Sequence, residues 1–186
     1  MTTIKKLTTP LTYEQIKDLR AGDQVSITGV IYSARDAAHK NMVDALKETQ
    51  PLPIDVEGQV IYYAGPTPAK PGKVIGSCGP TTSGRMDAFS PQMLDQGLKG
   101  MIGKGPRSQE VIESMKRNRA VYFAAIGGAA ALIADTIKKV DIVAYEELGP
   151  EAIRRMEVTD YPCIVAVDSE GNDLYKLGVE KYRLVD

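Results

Sequence analysis

Apolar residues along the chain change their spacing several times, and each change marks an element. Thr12 and Gln15 stand three apart as a capping box, ahead of a short helix predicted at about 13–20. QVSITGVIY (24–32) alternates apolar and polar positions like a half-buried strand, whereas DAAHKNMVDALKE (36–48) carries Ala38, Met42, Ala45 and Leu46 at helical spacing. QVIYYAG (59–65) and KVIGS (73–77) read as strands separated by the turn-rich GPTPAKPG. Ser90 and Pro91 form an N-cap and first-position pair for a helix at about 91–98. GMIGKG (100–105) is then a short buried strand, and RSQEVIESMKRN (107–118) an amphipathic helix. AVYFAAI (120–126), GAAALIADTIKK (128–139) and IVAYEEL (142–148) continue as strand, helix and strand. CIVAVDSEGNDLYK (163–176) reads as a hairpin turning at Ser169–Asn172.

Strands alternating with helices predict an α/β fold, with a mainly parallel sheet flanked by helices and antiparallel additions near the ends. A chain of 186 residues suits a single domain spanning 1–186, because at this length about two-thirds of the unfolded surface is buried on folding. The formal net charge of −1 excludes a general attraction to nucleic acid or anionic membrane, so any anion site must be local. The two cysteines, Cys78 and Cys163, form no CxxC pair and no ligand grouping with the single histidine, and no metal site is expected on this chain. MTTIKKLTTPLTYEQ lacks the apolar core of a signal peptide, and AVYFAAIGGAAALIA is too short and Gly-broken to span a bilayer. These features fit a soluble, reducing, cytoplasmic setting.

In α/β folds ligands collect beyond the carboxyl ends of the strands, where helix N-termini point free N–H groups outward. Four such junctions stand out: SARDAAHK, GPTTSGRMD, GKGPRS and IGGAA. Three carry a cation, Arg35, Arg85 and Lys104. Taken singly, Arg35 reads as a surface ion-pair residue and Arg85 as an ordinary helix-start charge. A cation at a helix start opposes the positive end of the helix dipole, so three together suggest a shared anion between them. In the second loop Gly79 and Gly84 allow close backbone approach, while Thr81, Thr82 and Ser83 offer hydroxyls to oxygen atoms. Arg85 can grip a carboxylate through two parallel hydrogen bonds. Neither GxxxxGK[ST] nor GxGxxG occurs, which weakens nucleotide binding. His39 lies one turn after Arg35 and either faces the same cleft or packs in the core. Asp36 and Asp87 stabilise helix starts or orient the neighbouring arginines, and Cys78 reads as a buried thiol.

ARDAAHK, GPTTSGRMD and MIGKG, in this order and with these intervals, resemble the beta subunit of class I fumarase, and the related L-tartrate dehydratase beta subunit shares them. The likeness extends to YEELGPEAIRRMEVTDYPCIVAVDSEGND, and the chain looks like the separate small subunit. The resemblance implies a swivelling β/β/α domain and an iron–sulfur hydro-lyase. Its [4Fe–4S] cluster would be carried by a partner alpha subunit, so the assembly would be a hetero-oligomer. It also implies that Arg35, Arg85 and Lys104 bind the carboxylates of a small dicarboxylate and that Thr81 takes part in proton transfer; the loop's own chemistry leaves Thr82 and Ser83 to serve the turn and the anion. The alternatives are a tartrate dehydratase subunit and an anion-binding module without chemistry.

Overall fold

The computed structural model describes residues 3–125 and 130–184. Its elements in order are β1 (Lys5–Thr8), α1 (Tyr13–Ile16), β2 (Gln24–Ser33), α2 (Asp36–Lys47), β3 (Val60–Tyr62), α3 (Ser90–Asp95), β4 (Gly100–Gly103) and α4 (Gln109–Asn118). There follow β5 (Val121–Ala124), α5 (Ala130–Thr136), β6 (Ile137–Ala144), β7 (Ile153–Val167) and α6 (Leu174–Tyr182), with 3-10 turns at Ser83–Met86 and Glu146–Glu151.

The sheet runs β1-β2-β3-β4-β5-β7-β6 and closes on itself because β2 also pairs with β7. The pairs β1–β2, β2–β3, β3–β4 and β4–β5 are parallel, while β7 is antiparallel to β2, β5 and β6. The expected mainly parallel sheet is therefore a mixed, barrel-like one. Strand alternation divides the core in two. Val60, Tyr62, Ile102, Val121 and Phe123 join Val25, Ile27, Ile31, Tyr161 and Val165 in one buried cluster. Their neighbours Ile61, Met101 and Tyr122 pack instead with Met42, Val43, Met93, Leu94, Val111 and Met115 of α2, α3 and α4. Helices thus cover the parallel strands on one face, and the junctions at the ends of β2, β3 and β4 open at one end of the barrel.

Several elements depart from the pattern. The first helix is a single turn ending at Ile16, opened by the Thr12 N–H donating to Gln15 Oε1 at 2.7 Å. KVIGS forms no strand, because β2 and β4 already occupy both edges of β3. That segment folds back on the preceding turn instead, with the Ser77 carbonyl accepting the Thr67 N–H at 3.0 Å. Ser90 is not an N-cap: it lies inside α3, and its hydroxyl donates to the Met86 carbonyl at 2.8 Å. In the segment 128–139, described from Ala130, helix stops at Thr136; Ile137 then pairs with Val158 and starts β6. That strand ends at Ala144, since Tyr145 turns left-handed (φ 54°) and begins a 3-10 turn. After β7 the chain turns over Asp168–Asn172, but the expected second strand is reduced to one bridge, Val167 to Asp173, and the Asp173 side chain caps α6. Ile126 and the start of IGGAA lie outside the described residues.

Candidate functional site

Arg35 ends the turn from β2 and stands in extended conformation at the N-cap of α2. Its Nη2 donates to Glu151 Oε1 at 2.6 Å, and the other Glu151 oxygen accepts the Ala37 N–H at 2.8 Å. The guanidinium lies against Gly65, where a Cβ would come within 2.7 Å of Nη1. Asp36 Oδ1 accepts Arg85 Nε at 2.8 Å, while Asp36 Oδ2 and Arg35 Nε are 3.8 Å apart. Acids and cations thus alternate along Glu151, Arg35, Asp36 and Arg85. The anions that relieve Arg35 at this helix start are the chain's own carboxylates. Arg85 is different, because its terminal nitrogens make no hydrogen bond among the described residues and its side chain is half-exposed.

The Thr81–Arg85 loop is tied to β3 and β4. The Thr81 N–H donates to the Tyr63 carbonyl at 2.6 Å, Thr82 bridges Lys104 in parallel register, and the Ser83 N–H donates to the Lys104 carbonyl at 2.8 Å. These contacts place Thr81, Thr82 and Lys104 side by side. Lys104 and Thr82 are exposed and Thr81 is partly so; Lys104 makes no ion pair among the described residues. Ser83 points the other way. Fully buried, its hydroxyl meets the Tyr122 hydroxyl at 2.9 Å, and Tyr122 donates to the Gly105 carbonyl at 2.8 Å. Burial pushes the Tyr122 phenol up, which keeps it a donor. Only glycine fits at 103, since a Cβ there would lie 2.0 Å from Ser83 Oγ. Ser83 therefore anchors the loop from beneath, and its hydroxyl does not reach the open end.

Beneath the same loop lies Arg107, whose side chain has no exposed surface. Its Nε donates to Asp87 Oδ1 at 2.7 Å and its Nη2 to Ser90 Oγ at 2.6 Å, with the rings of Tyr63 and Tyr122 at 5.4 and 5.1 Å. Asp87 Oδ2 accepts the Ser108 N–H at 2.7 Å, so one carboxylate fastens the end of the site loop to the start of α4. Arg107 and Glu151 were not singled out in the sequence. Arg107 had a usable signal in Pro-Arg-Ser, a cation just before an amphipathic helix in a junction that already held Lys104. Glu151 had none, because nothing local to Gly-Pro-Glu points to a partner 116 positions away.

His39 is fully buried, with its ring edge-on to Tyr63 at 5.3 Å and Nδ1 bonded to the Arg35 carbonyl at 2.9 Å. It packs in the core behind Arg35 and does not line the cleft. Burial, with a smaller effect from Arg107, lowers its pKa to about 4, so the ring is neutral at pH 7. An unfolded chain would protonate this histidine below about 6.5 whereas the native one would not. The stability it protects is complete above pH 6.5 and is lost as pH falls toward 4. Wild type is expected to lose roughly 3 kcal/mol more than His39→Asn between pH 7.5 and pH 4, read by urea unfolding at both.

Among the described residues no group of three or more His, Cys, Asp or Glu could hold a metal ion. Cys78 and Cys163 are buried free thiols, and burial pushes Cys78 up to about 12 and Cys163 higher still. An iron–sulfur cluster is held by several converging thiolates, and these two cysteines belong to no such group among the described residues.

A family model described as Fumarase C-terminus matches residues 2–178. The chain is 39% identical over 165 residues to "Fumarate hydratase class I, aerobic" of Salmonella typhimurium, covering 88% of this chain but 28% of that protein. It is 41% identical over 172 residues to "Putative L(+)-tartrate dehydratase subunit beta" of Methanocaldococcus jannaschii, covering 89% of this chain and 88% of that subunit. "Putative fumarate hydratase class I" of Geobacillus stearothermophilus is 38% identical over 183 residues, or 96% of this chain and 34% of its own length. The chain thus spans about a third or less of the fumarate hydratases it matches. The loops that hold Arg35, Thr81, Arg85 and Lys104 at one end of the barrel lie inside the matched residues, and the chain belongs to the Fumarase C-terminus family.

Proposed function

We propose that this chain is the beta-subunit part of an iron–sulfur-dependent hydro-lyase that interconverts malate and fumarate plus water. It supplies the carboxylate-binding and proton-transfer groups of a site completed by a cluster-bearing alpha partner. The carrying observation is the free end of the Arg85 guanidinium, held at Nε by Asp36 in the loop that sets Thr81 and Thr82 beside Lys104. Three relatives named as hydratases or a dehydratase support the reaction class.

A dicarboxylate leaving water needs compensating donors, each charge-assisted hydrogen bond contributing roughly 1.5–3 kcal/mol net. Arg85 offers a two-pronged contact to one carboxylate and Lys104 a point charge, with Arg35 joined to Arg85 through Asp36. Removing the C–H proton beside a carboxylate pushes further negative charge onto it. Cations fixed there stabilise the transition state more than the ground state. Thr81 carries a hydroxyl for the proton. The cluster finds no ligand set among the described residues and is assigned to the partner, over which this barrel would close as a swivelling domain. No described helix is long and apolar enough to cross a membrane, and two free cysteines suit the cytoplasm.

The archaeal relative, named for tartrate, gives a second reading with the same cations and one more substrate hydroxyl. Both are tested by co-purifying the chain with its cluster-bearing partner and assaying anaerobically with malate, fumarate and tartrate. The chain alone is expected to be colourless, iron-free and inactive, and the complex active on malate and fumarate. Turnover by the pure chain would refute the shared site, and preference for tartrate would select the second reading.

A further inference from the structure

We propose that Glu151 is a positioning residue for Arg35, fixing the direction of its guanidinium and moderating its hold on a ligand carboxylate. The inference rests on the dicarboxylate reading above. Glu151 reaches the site through the 3-10 turn just ahead of β7, where the buried Ala152 and Ile153 fix its backbone. Both its oxygens are bound, one by Arg35 Nη2 at 2.6 Å and the other by the Ala37 N–H at 2.8 Å. The carboxylate therefore sits where a ligand anion would sit, between a guanidinium and the N-terminus of α2.

Arg35 is constrained on every side that the structure describes. Glu151 pins Nη2, Gly65 supports Nη1 without a side chain in between, and Nε lies 3.8 Å from Asp36 Oδ2 with no hydrogen-bond partner. A planar guanidinium held in this way keeps its remaining N–H groups in fixed directions, and Glu151 also cancels much of its charge. Loss of that negative charge, with the side-chain shape kept, has two opposite effects. A ligand carboxylate meets a less neutralised Arg35 and is held more tightly in the ground state. The guanidinium also loses its aim, so less of that binding is realised in the transition state.

The test is a double-mutant cycle of Glu151→Gln with Arg35→Met in the complex with the cluster-bearing partner, measuring kcat and KM for malate. Glu151→Gln alone is expected to lower kcat about tenfold and KM about threefold, and to change neither by more than about twofold once Arg35 is Met. Equal losses in both backgrounds would reduce Glu151 to a cap on α2 and overturn the proposal. So would a fall in kcat at unchanged KM, which is the mark of a smaller folded fraction. A wild-type complex that turns over no dicarboxylate defeats the hydro-lyase reading by itself. The cycle is then read on succinate binding by calorimetry. Tighter succinate binding by Glu151→Gln only where Arg35 is present sustains the proposal. Unchanged binding, or no binding by wild type, overturns it.

Discussion

Replacing Thr81 with Val is expected to lower turnover of malate about 100-fold or more while leaving folding, partner association and KM near wild type. The loop holds Thr81 by its backbone: its N–H donates to the Tyr63 carbonyl at 2.6 Å and its carbonyl accepts the Lys104 N–H at 3.4 Å. Its hydroxyl makes no hydrogen bond among the described residues, and valine has the same shape. The fold therefore loses little, and the loss falls on the reaction. A threonine hydroxyl is a weak base in isolation. Asp36 and Glu151, the carboxylates of the arginine cluster, are already committed to Arg85 and Arg35, so the proposed reaction requires an activating group from the partner. Thr82 is exposed and also held by its backbone, and Thr82→Val should be milder. Single-turnover rates with a verified intact cluster decide between them. Equal small losses would leave the loop a binding cradle and move proton transfer elsewhere.

Asp87→Ala should destabilise the chain by about 3–5 kcal/mol, the largest stability effect expected of a side chain in the site loop. Arg107 has no exposed surface, and Asp87 supplies its only carboxylate among the described residues. Truncating the acid leaves a guanidinium buried between two tyrosine rings with one hydroxyl and a thioether as partners, and frees the Ser108 N–H at the start of α4. Asp87→Asn should cost less, because an amide can still accept from Arg107 while carrying no charge. Urea unfolding of the three proteins measures both differences. A loss below about 1 kcal/mol for Asp87→Ala would mean that water reaches Arg107 and that the pair behaves as an exposed one.

Periodicity was enough for the elements that bury one face against a large neighbour. β2 alternates through Val25, Ile27 and Ile31, and α4 presents Val111, Ile112 and Met115, so their patterns survive in the fold. It misled where local propensity meets an occupied position. Val74 and Ile75 favour a strand, yet no sheet edge is free beside β3 to receive one. The first part of β7 escaped notice because Arg154, Arg155 and Pro162 interrupt its apolar pattern, although barrel closure depends on it. Arg85, Lys104 and Thr81 stood out as candidates because loop cations and hydroxyls advertise themselves, and the fold brings the loops that carry them together. His39 was open between the cleft and the core, and Ser83 between the turn and the anion; both prove to be interior supports, a distinction that depends on which way a side chain points. Glu151 and Arg107 act through partners remote in sequence, and spacing carries no record of such contacts.

Closure of the barrel through β2 and β7 also bears on how the chain is made. The Asp160 N–H donates to Thr28 Oγ1 across 132 positions, and the whole β2–β7 ladder joins segments similarly far apart. Loop-closure entropy makes such pairings late and slow. During synthesis β2 through β5 can assemble beneath α2, α3 and α4 from short-range βα units, but one edge each of β2 and β5 waits for the last strand. Those open edges are templates for pairing with other chains. A nascent or truncated chain ending before Ile153 would carry the cationic loops and most of the core, yet it should aggregate, and the interval between the synthesis of β5 and that of β7 is when this chain most needs a chaperone.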